Sequence, residues 1–227
     1  MTETIAPASQ KLLKAIIVIS VLCLVIALLY AMSAPLPDQR LVHTLVQDNL
    51  SQSGVTNPVT AVLLNFRAYD TLIEFAVFYC VTIAVMPFLS ESMISNVNND
   101  KDLVLLQTCR IFIPPTILVA GYLLWIGASA PGGAFQAAAL LAGTLVLLSL
   151  ANIQHLDVEK NGSKFVIVGG LLAFCTVFIS TIIIGNAPLQ YPVKLAGLIV
   201  ILVEFFATFA VALSLFVCFE TIHKGHV

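Results

Sequence analysis

Three charged residues follow one another inside a long apolar stretch: Arg67, Asp70 and Glu74. Their spacing is i, i+3 and i+7, so on a continuous helix the three side chains would project from one face. A charge at the centre of a membrane helix costs about 3 kcal/mol or more, so it is rare unless it is paired or lines a polar path. The group therefore indicates either a structural ion pair or a path for ions and protons.

Each of these residues has two interpretations that the sequence leaves open. Arg67 and Asp70 can pair directly and hold a bend in the chain, or they can lie on an ion or proton path. Glu74, one turn further on, has no necessary partner in this segment. An unpaired carboxyl in hydrocarbon suits a group that takes up and releases a proton. Alternatively, Glu74 is an interfacial residue that bonds to Thr71 or to a neighbouring protein.

A fourth candidate, Glu204, lies in the apolar sequence LIVILVEFFATFAV. Counted from residue 193, it lies about 16 Å along a helix, near the middle of a predicted span. An acid in a membrane span is a functional candidate by default. We predict that Glu204 handles a proton or a cation. A hydrogen bond to another helix and a misplaced span are the alternatives.

The composition predicts an integral membrane protein. Of the 227 residues, 59% are hydrophobic and 10% are charged. Soluble domains carry roughly 25% charged residues, so this chain cannot cover a water-exposed surface with charge. A net charge of -2 argues against a nucleic-acid partner. The five cysteines lie far apart, and the sequence contains no enzyme motif, so we expect no catalytic residue, no metal site and no cofactor.

Apolar stretches predict an all-α polytopic fold of about six transmembrane helices. The predicted spans are residues 15–32, 71–90, 110–127, 134–151, 164–185 and 193–218. Most lysines and arginines then lie on one side, which predicts cytoplasmic N- and C-termini. The first apolar stretch could also be a signal peptide, but it is longer than the roughly 7–15 apolar residues of such peptides.

Two further helical segments are predicted between the first and second spans. Apolar residues at helical spacing predict an amphipathic helix over residues 41–50. Asn57 and Pro58 suit a helix start, because Asn caps with its side chain and Pro needs no amide partner there. A continuous helix from Pro58 to residue 89 would be about 48 Å long, well beyond a hydrocarbon core of about 30 Å. We therefore predict a half-helix over residues 58–66 and a hinge at residues 67–70.

The polar residues 91–107 form the clearest break in composition. They predict two modules: residues 1–95 with two spans and residues 96–227 with four. Within the second module, Pro131, Gly132 and Gly133 predict a tight structural turn between the third and fourth spans. Proline fixes φ there, and the glycines permit positive φ.

Two stretches resemble known families. Residues 55–74, VTNPVTAVLLNFRAYDTLIE, are similar to the E-type subunit of membrane-bound hydrogenases and to the C-terminal part of the large subunit of Mrp-type antiporters, which show an xxFRxxDTLxE pattern. Residues 110–151, with IFIPPTILVAGYLLWIGASAPGGAFQAAALLAG, resemble the B-type subunit of the same antiporters, where PGGxFQ opens a helix. Ala134 stands where a third glycine is expected.

This resemblance implies an accessory transmembrane subunit of a Mrp-type Na+/H+ antiporter, or of a related respiratory or hydrogenase complex, in the cell inner membrane. The implied partners are other hydrophobic subunits, the lipid bilayer, and Na+ and H+ as transported ions. Glu74 and Glu204 are the candidates for the ion path, with Arg67 and Asp70 shaping or gating it. A purely structural interface protein of the complex and a stand-alone small transporter are the alternatives.

Overall fold

The computed structural model describes residues 7–33, 39–91, 103–153, 161–184 and 188–225. Within these ranges the chain is helical and contains no strand. A membrane offers no water to backbone groups, and a helix satisfies its amides and carbonyls within one segment. Apolar stretches of this length therefore fold as helices, and the all-α prediction is confirmed.

Eight α-helices lie in the described residues: α1 Pro7–Ser33, α2 Gln39–Asn49, α3 Pro58–Ala61, α4 Ala68–Glu91, α5 Leu103–Ile126, α6 Ala134–Leu150, α7 Asn161–Ile183 and α8 Ala196–Gly225. Four of them, α4, α5, α7 and α8, are long and apolar enough to cross a membrane. The apolar parts of α1 (Lys14–Tyr30) and α6 are shorter. These six helices match the six predicted spans.

Three helices extend well beyond their predicted spans: α1 begins at Pro7, α5 begins at Leu103, and α8 ends at Gly225. The start of α5 lies inside the segment predicted as a polar connection. Leu103, Val104, Leu105 and Leu106 are apolar, so they extend the helix toward its N-terminus. The predicted module boundary between residues 95 and 96 lies outside the described residues.

Two compact units make up the chain, Met1–Leu45 and Val46–Val227. The first contains α1, and the boundary falls within α2, which is a helix as its amphipathic pattern predicts. The second contains α3 to α8, and the candidate site lies entirely within it.

The long helix α8 forms the centre of the second unit. It packs against α4, α6 and α7. Half of its apolar stretch is buried, against 22% or less in the other three long helices. A Cβ on Gly170 of α7 would lie 2.7 Å from the Cβ of Ala210 on α8, so glycine at this position lets the two helices approach closely. α8 is therefore the helix whose polar residues are best shielded by the chain itself.

The half-helix, defined as residues 58–66, begins where the sequence predicts. The Asn57 side chain accepts a hydrogen bond from the Val59 amide at 3.1 Å. α3 then continues into a π-helical turn, Val62–Phe66, closed by the Arg67 amide, which donates to Val62 O at 2.8 Å. Arg67 leaves the helical conformation, with φ -124° and ψ 33°, and α4 starts at the next residue. The predicted break is present but confined to Arg67, because residues 68–70 of the predicted hinge already belong to α4. A continuous helix through Arg67, Asp70 and Glu74 is therefore excluded.

Candidate functional site

Hydrogen bonds tie the half-helix to the connection between α5 and α6. Thr60 Oγ1 donates to Gly127 O at 2.6 Å. The Asn57 side-chain amide donates to Gly127 O at 3.1 Å and to Ala130 O at 2.9 Å. The Asn57 backbone amide donates to Ala128 O at 3.1 Å. Both side chains are buried, so these bonds hold the half-helix firmly against the end of α5.

Another hydrogen bond joins the half-helix to α4. The buried Thr71 hydroxyl donates to Leu63 O at 2.5 Å. Thr71 was one alternative partner for Glu74, but its hydroxyl proton is directed to the π-helical turn instead. The helix break at Arg67 is thus bridged on the inner side by Thr71.

The turn before α6 depends on two glycines. The Gly133 amide donates to Leu123 O at 2.9 Å, which folds the chain back on α5. A Cβ on Gly132 would lie 2.6 Å from the same Leu123 oxygen. Gly133 has φ +119° and ψ -175°, a conformation that is essentially restricted to glycine. These residues bring the first turn of α6 directly against α8.

Glu204 of α8 faces that turn. The residue is only 4% exposed, and the Ala134 backbone amide donates to its carboxylate. The first amides of a helix have no partner within the helix, and in α6 no side chain caps them. The positive end of the α6 dipole therefore lies next to the Glu204 carboxylate. Glu204 lies eight residues after Ala196, about 12 Å along α8. We had expected Glu204 near the middle of its span. The apolar stretch of α8 is Ala196–Ile222, so Glu204 lies within the first third of it.

A cavity of about 70 Å³ lies beside the Glu204 carboxylate. Its walls come from the half-helix, α4, the turn before α6, and α8. A cavity needs roughly 10–15 Å³ of such volume to hold one water, so this one has room for several. Among the described residues that line it, Glu204 alone carries a charge. The site is thus a single carboxylate at a small, partly polar cavity whose walls are formed by the chain's own helices.

Arg67 and Asp70 form an ion pair across the hinge. Their side chains are 70% and 48% exposed, and neither residue lines the cavity. Exposed pairs in water are worth about 0–1 kcal/mol. The pair is therefore present, but within this chain it lies at the surface of the second unit.

Glu74 also lies on the surface of the second unit. It is exposed on α4 next to the exposed apolar residues Ile73 and Val77, and no described residue donates a hydrogen bond to its carboxylate. The structure thus separates the four predicted site residues. Glu204 is enclosed, while Arg67, Asp70 and Glu74 point out of the chain.

Sequence reasoning missed a second buried acid, Glu220. It is only 3% exposed and accepts a hydrogen bond from the Ser149 hydroxyl at the end of α6. The predicted sixth span ends at residue 218, but α8 continues to Gly225. Ile222 continues the apolar pattern beyond Glu220 and is the one signal in the sequence for a longer helix.

Tyr191, in the connection between α7 and α8, is a buried polar group of a different kind. It is 5% exposed, and its hydroxyl has no hydrogen-bond partner among the residues that the structure describes. Burial raises the pKa of this phenol well above its ordinary value. No group of three or more metal-ligating side chains occurs in the described parts of the chain, and all five cysteines are free.

Comparisons with known proteins match both halves of the chain. A family model described as "Domain related to MnhB subunit of Na+/H+ antiporter" matches residues 104–223, and the MbhE family model, for the E-type subunit of MBH, matches residues 9–93. A structure of the Mrp complex from Dietzia sp. contains a similar chain, with a TM-score of 0.63, 21% identity and 97% of this chain covered. This chain spans 26% of that chain's length, and the likeness concerns the fold. A comparison with curated proteins finds no significant match.

Proposed function

Because the chain belongs to the family of domains related to the MnhB subunit of Na+/H+ antiporters, we propose that it is an accessory membrane subunit of a complex exchanging a monovalent cation for H+. One observation supports a direct part in ion handling. Within the segment that matches the family, the buried carboxylate of Glu204 faces a cavity with room for water.

In this proposal Glu204 is the ion- or proton-handling group inside the chain. A buried acid without a basic partner is costly to retain in a membrane helix, unless a proton or a cation neutralises it part of the time. The Ala134 amide donates to this carboxylate, and the cavity beside it has room for water. Exchange of charge at this carboxylate is therefore chemically feasible.

Glu74, Asp70 and Arg67 would act where the chain meets a partner. Glu74 and Asp70 are exposed on α4, and hydrocarbon is a poor environment for both. A neighbouring hydrophobic subunit would cover this face and continue the path from Glu74. Arg67 and Asp70, which flank the break between the half-helix and α4, would shape or gate that path.

The proposed arrangement in the membrane follows the distribution of charge. Cytoplasmic termini fit the excess of lysine and arginine on one side. The proposed location in the cell inner membrane rests on the resemblance to antiporter subunits. The two modules, residues 1–95 and 96–227, would be a part of the hydrogenase E type and a part of the antiporter B type. We assign transport, not enzymatic catalysis, to the chain.

A second candidate function, a purely structural role at the interface of neighbouring proteins, is favoured by the exposed acids of α4. If Glu74 and Asp70 form static bonds to a partner, they hold the complex together and move no ion. In that case Glu204 would only fix the first turn of α6 to α8.

The test is complementation of a complex from which this chain has been removed. Na+/H+ exchange in membrane vesicles should be lost without the chain, and the wild-type chain should restore it. Glu204→Gln should assemble at the wild-type level yet restore at most about a tenth of the wild-type rate. Removing one charge-stabilising group typically lowers a rate by about 100-fold or more.

Three other results would contradict the proposal. Full antiport in vesicles that lack the chain would exclude a role in exchange. Full restoration by both Glu204→Gln and Glu74→Gln would support the structural alternative. Exchange by the purified chain alone in liposomes would make it a stand-alone transporter.

A further inference from the structure

The cavity beside Glu204 contains a second oxygen that the sequence did not suggest as a functional group. The point where a Cβ on Gly133 would lie is 3.1 Å from Glu204 Oε1 and 3.6 Å from Gln136 Oε1. Because Gly133 has no side chain, two oxygens from different helices, α6 and α8, converge on an unfilled position. Both residues also line the cavity.

The charge and the ligand types favour a monovalent cation over a divalent one. Hard cations are held by oxygen ligands, and divalent ions usually recruit several carboxylates. Here one carboxylate is joined by a neutral amide oxygen, so one positive charge balances the site. The Ala134 amide occupies part of the carboxylate, which still has free acceptor positions for an ion.

The size and the opening of the cavity favour a partly hydrated ion. About 70 Å³ is too large for a bare ion and leaves room for several waters. Val59, Leu63 and Gln136 line the cavity and are themselves exposed, so it opens to the surface of the second unit. Gln136 lies at this opening, while Glu204 lies at the buried end.

We infer that Glu204 and Gln136 together form a binding site for one partly hydrated alkali-metal cation, with Gly133 keeping the space between them free. This rests on the proposed function and adds the ligand set. Glu204 supplies the balancing charge, and Gln136 supplies the oxygen that replaces part of the ion's water shell. Because Gln136 is neutral, it does not change the charge balance of the site. Its oxygen affects only how tightly the cation is bound.

The experiment uses the purified full chain in detergent. Choline chloride is replaced stepwise by NaCl at constant ionic strength, so that general screening does not change. A bound ion stabilises the folded state, so the unfolding midpoint should rise by about 3–5 °C once Na+ exceeds its dissociation constant about ten-fold. Parallel titrations with LiCl and KCl give the selectivity.

Two variants and one control identify the ligands. Gln136 is exposed, so Gln136→Leu should not prevent folding. Because one oxygen ligand is lost, the Na+ titration should shift to a concentration at least about ten-fold higher. Glu204→Gln should remove the response to Na+. Gln107→Leu, an equivalent change at an exposed position of α5 away from the cavity, should titrate like the wild type.

The inference is overturned if the wild type responds equally to Na+ and choline, or if Gln136→Leu titrates like the wild type. The second result, combined with loss of antiport in the Glu204→Gln complex, would remove Gln136 from the site and leave the proposed function intact. Normal antiport in that complex would reject the proposed function independently of the titrations.

Discussion

The acids Glu204 and Glu74 lie in comparable apolar helices but in opposite surroundings. Glu204 is enclosed by the half-helix, the turn before α6 and its own helix α8, and it faces a cavity. Glu74 is exposed on α4 among exposed apolar residues. The surroundings of the Glu204 carboxylate are therefore formed entirely by this chain, whereas those of the Glu74 carboxylate are not. What Glu74 does depends on what covers it.

The two regions also differ in what holds them together. Buried donors from Asn57, Thr60 and Thr71 fix the walls of the Glu204 cavity. At the other region, within the described residues, the side chains of Arg67 and Asp70 are held only by their exposed ion pair with each other. Substitutions around the cavity should therefore affect the isolated chain, whereas substitutions at the exposed acids should act mainly in the complex.

The largest expected effect comes from Gly133→Val. The variant must place a β-branched residue at φ +119°, which costs about 1–3 kcal/mol, and its Cβ displaces the Glu204 carboxylate. We expect a loss of about 3 kcal/mol in the free energy of unfolding, measured by denaturant or heat on the purified chain.

Gly143→Val is the matched control for that change. Gly143 is exposed on α6, and a Cβ there has no neighbour within 4 Å, so the change should stay within about 0.5 kcal/mol. If the two variants lose the same stability, the turn before α6 does not hold the cavity wall in the way described.

Thr60→Val should have the next largest effect. It removes the hydroxyl that donates to Gly127 O and leaves that buried oxygen with one fewer donor. We expect a loss of about 1–2 kcal/mol. Thr176→Val, where an exposed hydroxyl bonds only within its own helix, should change the stability by less than about 0.5 kcal/mol. Equal effects in the two variants would show that the half-helix is not fixed by this bond.

Tyr191→Phe should stabilise the chain by about 1 kcal/mol, because it removes a buried hydroxyl to which no residue in the described part of the chain bonds. The pH dependence has a definite sign. The pKa of Tyr191 is raised in the folded state, so above the ordinary value of 10.0 the phenol ionises more readily in the unfolded chain. Stability should therefore fall as pH rises beyond that value, and less steeply in Tyr191→Phe. An identical alkaline slope in both proteins would contradict this.

The smallest effect is expected for Arg67→Gln in the isolated chain. The pair with Asp70 is exposed, so its loss should cost at most about 0.5–1 kcal/mol. In the assembled complex the same change should reduce antiport, because a partner would exclude water from the pair. A large destabilisation of the isolated chain would contradict the description of this region as open.

The sequence predicted those features that depend on local rules. Asn57 and Pro58 marked the start of the half-helix, and the excessive length of the apolar stretch required the break that occurs at Arg67. The resemblance in the two motifs is confirmed by the family matches.

The remaining features depend on contacts between distant segments. α4 is apolar on all sides, so no periodicity showed that Thr71 faces inward and Glu74 outward. The approach of Gln136 to Glu204 joins positions on two helices through the fold at Gly133, which no local pattern encodes.

The most direct test compares Na+/H+ antiport per assembled complex for Glu204→Gln and Glu74→Gln with the wild type. We expect that Glu204→Gln assembles fully and exchanges at no more than about a tenth of the wild-type rate, whereas Glu74→Gln lowers assembly, exchange or both only in the presence of its partners. A Glu204→Gln complex that exchanges Na+ for H+ at the wild-type rate would contradict this expectation.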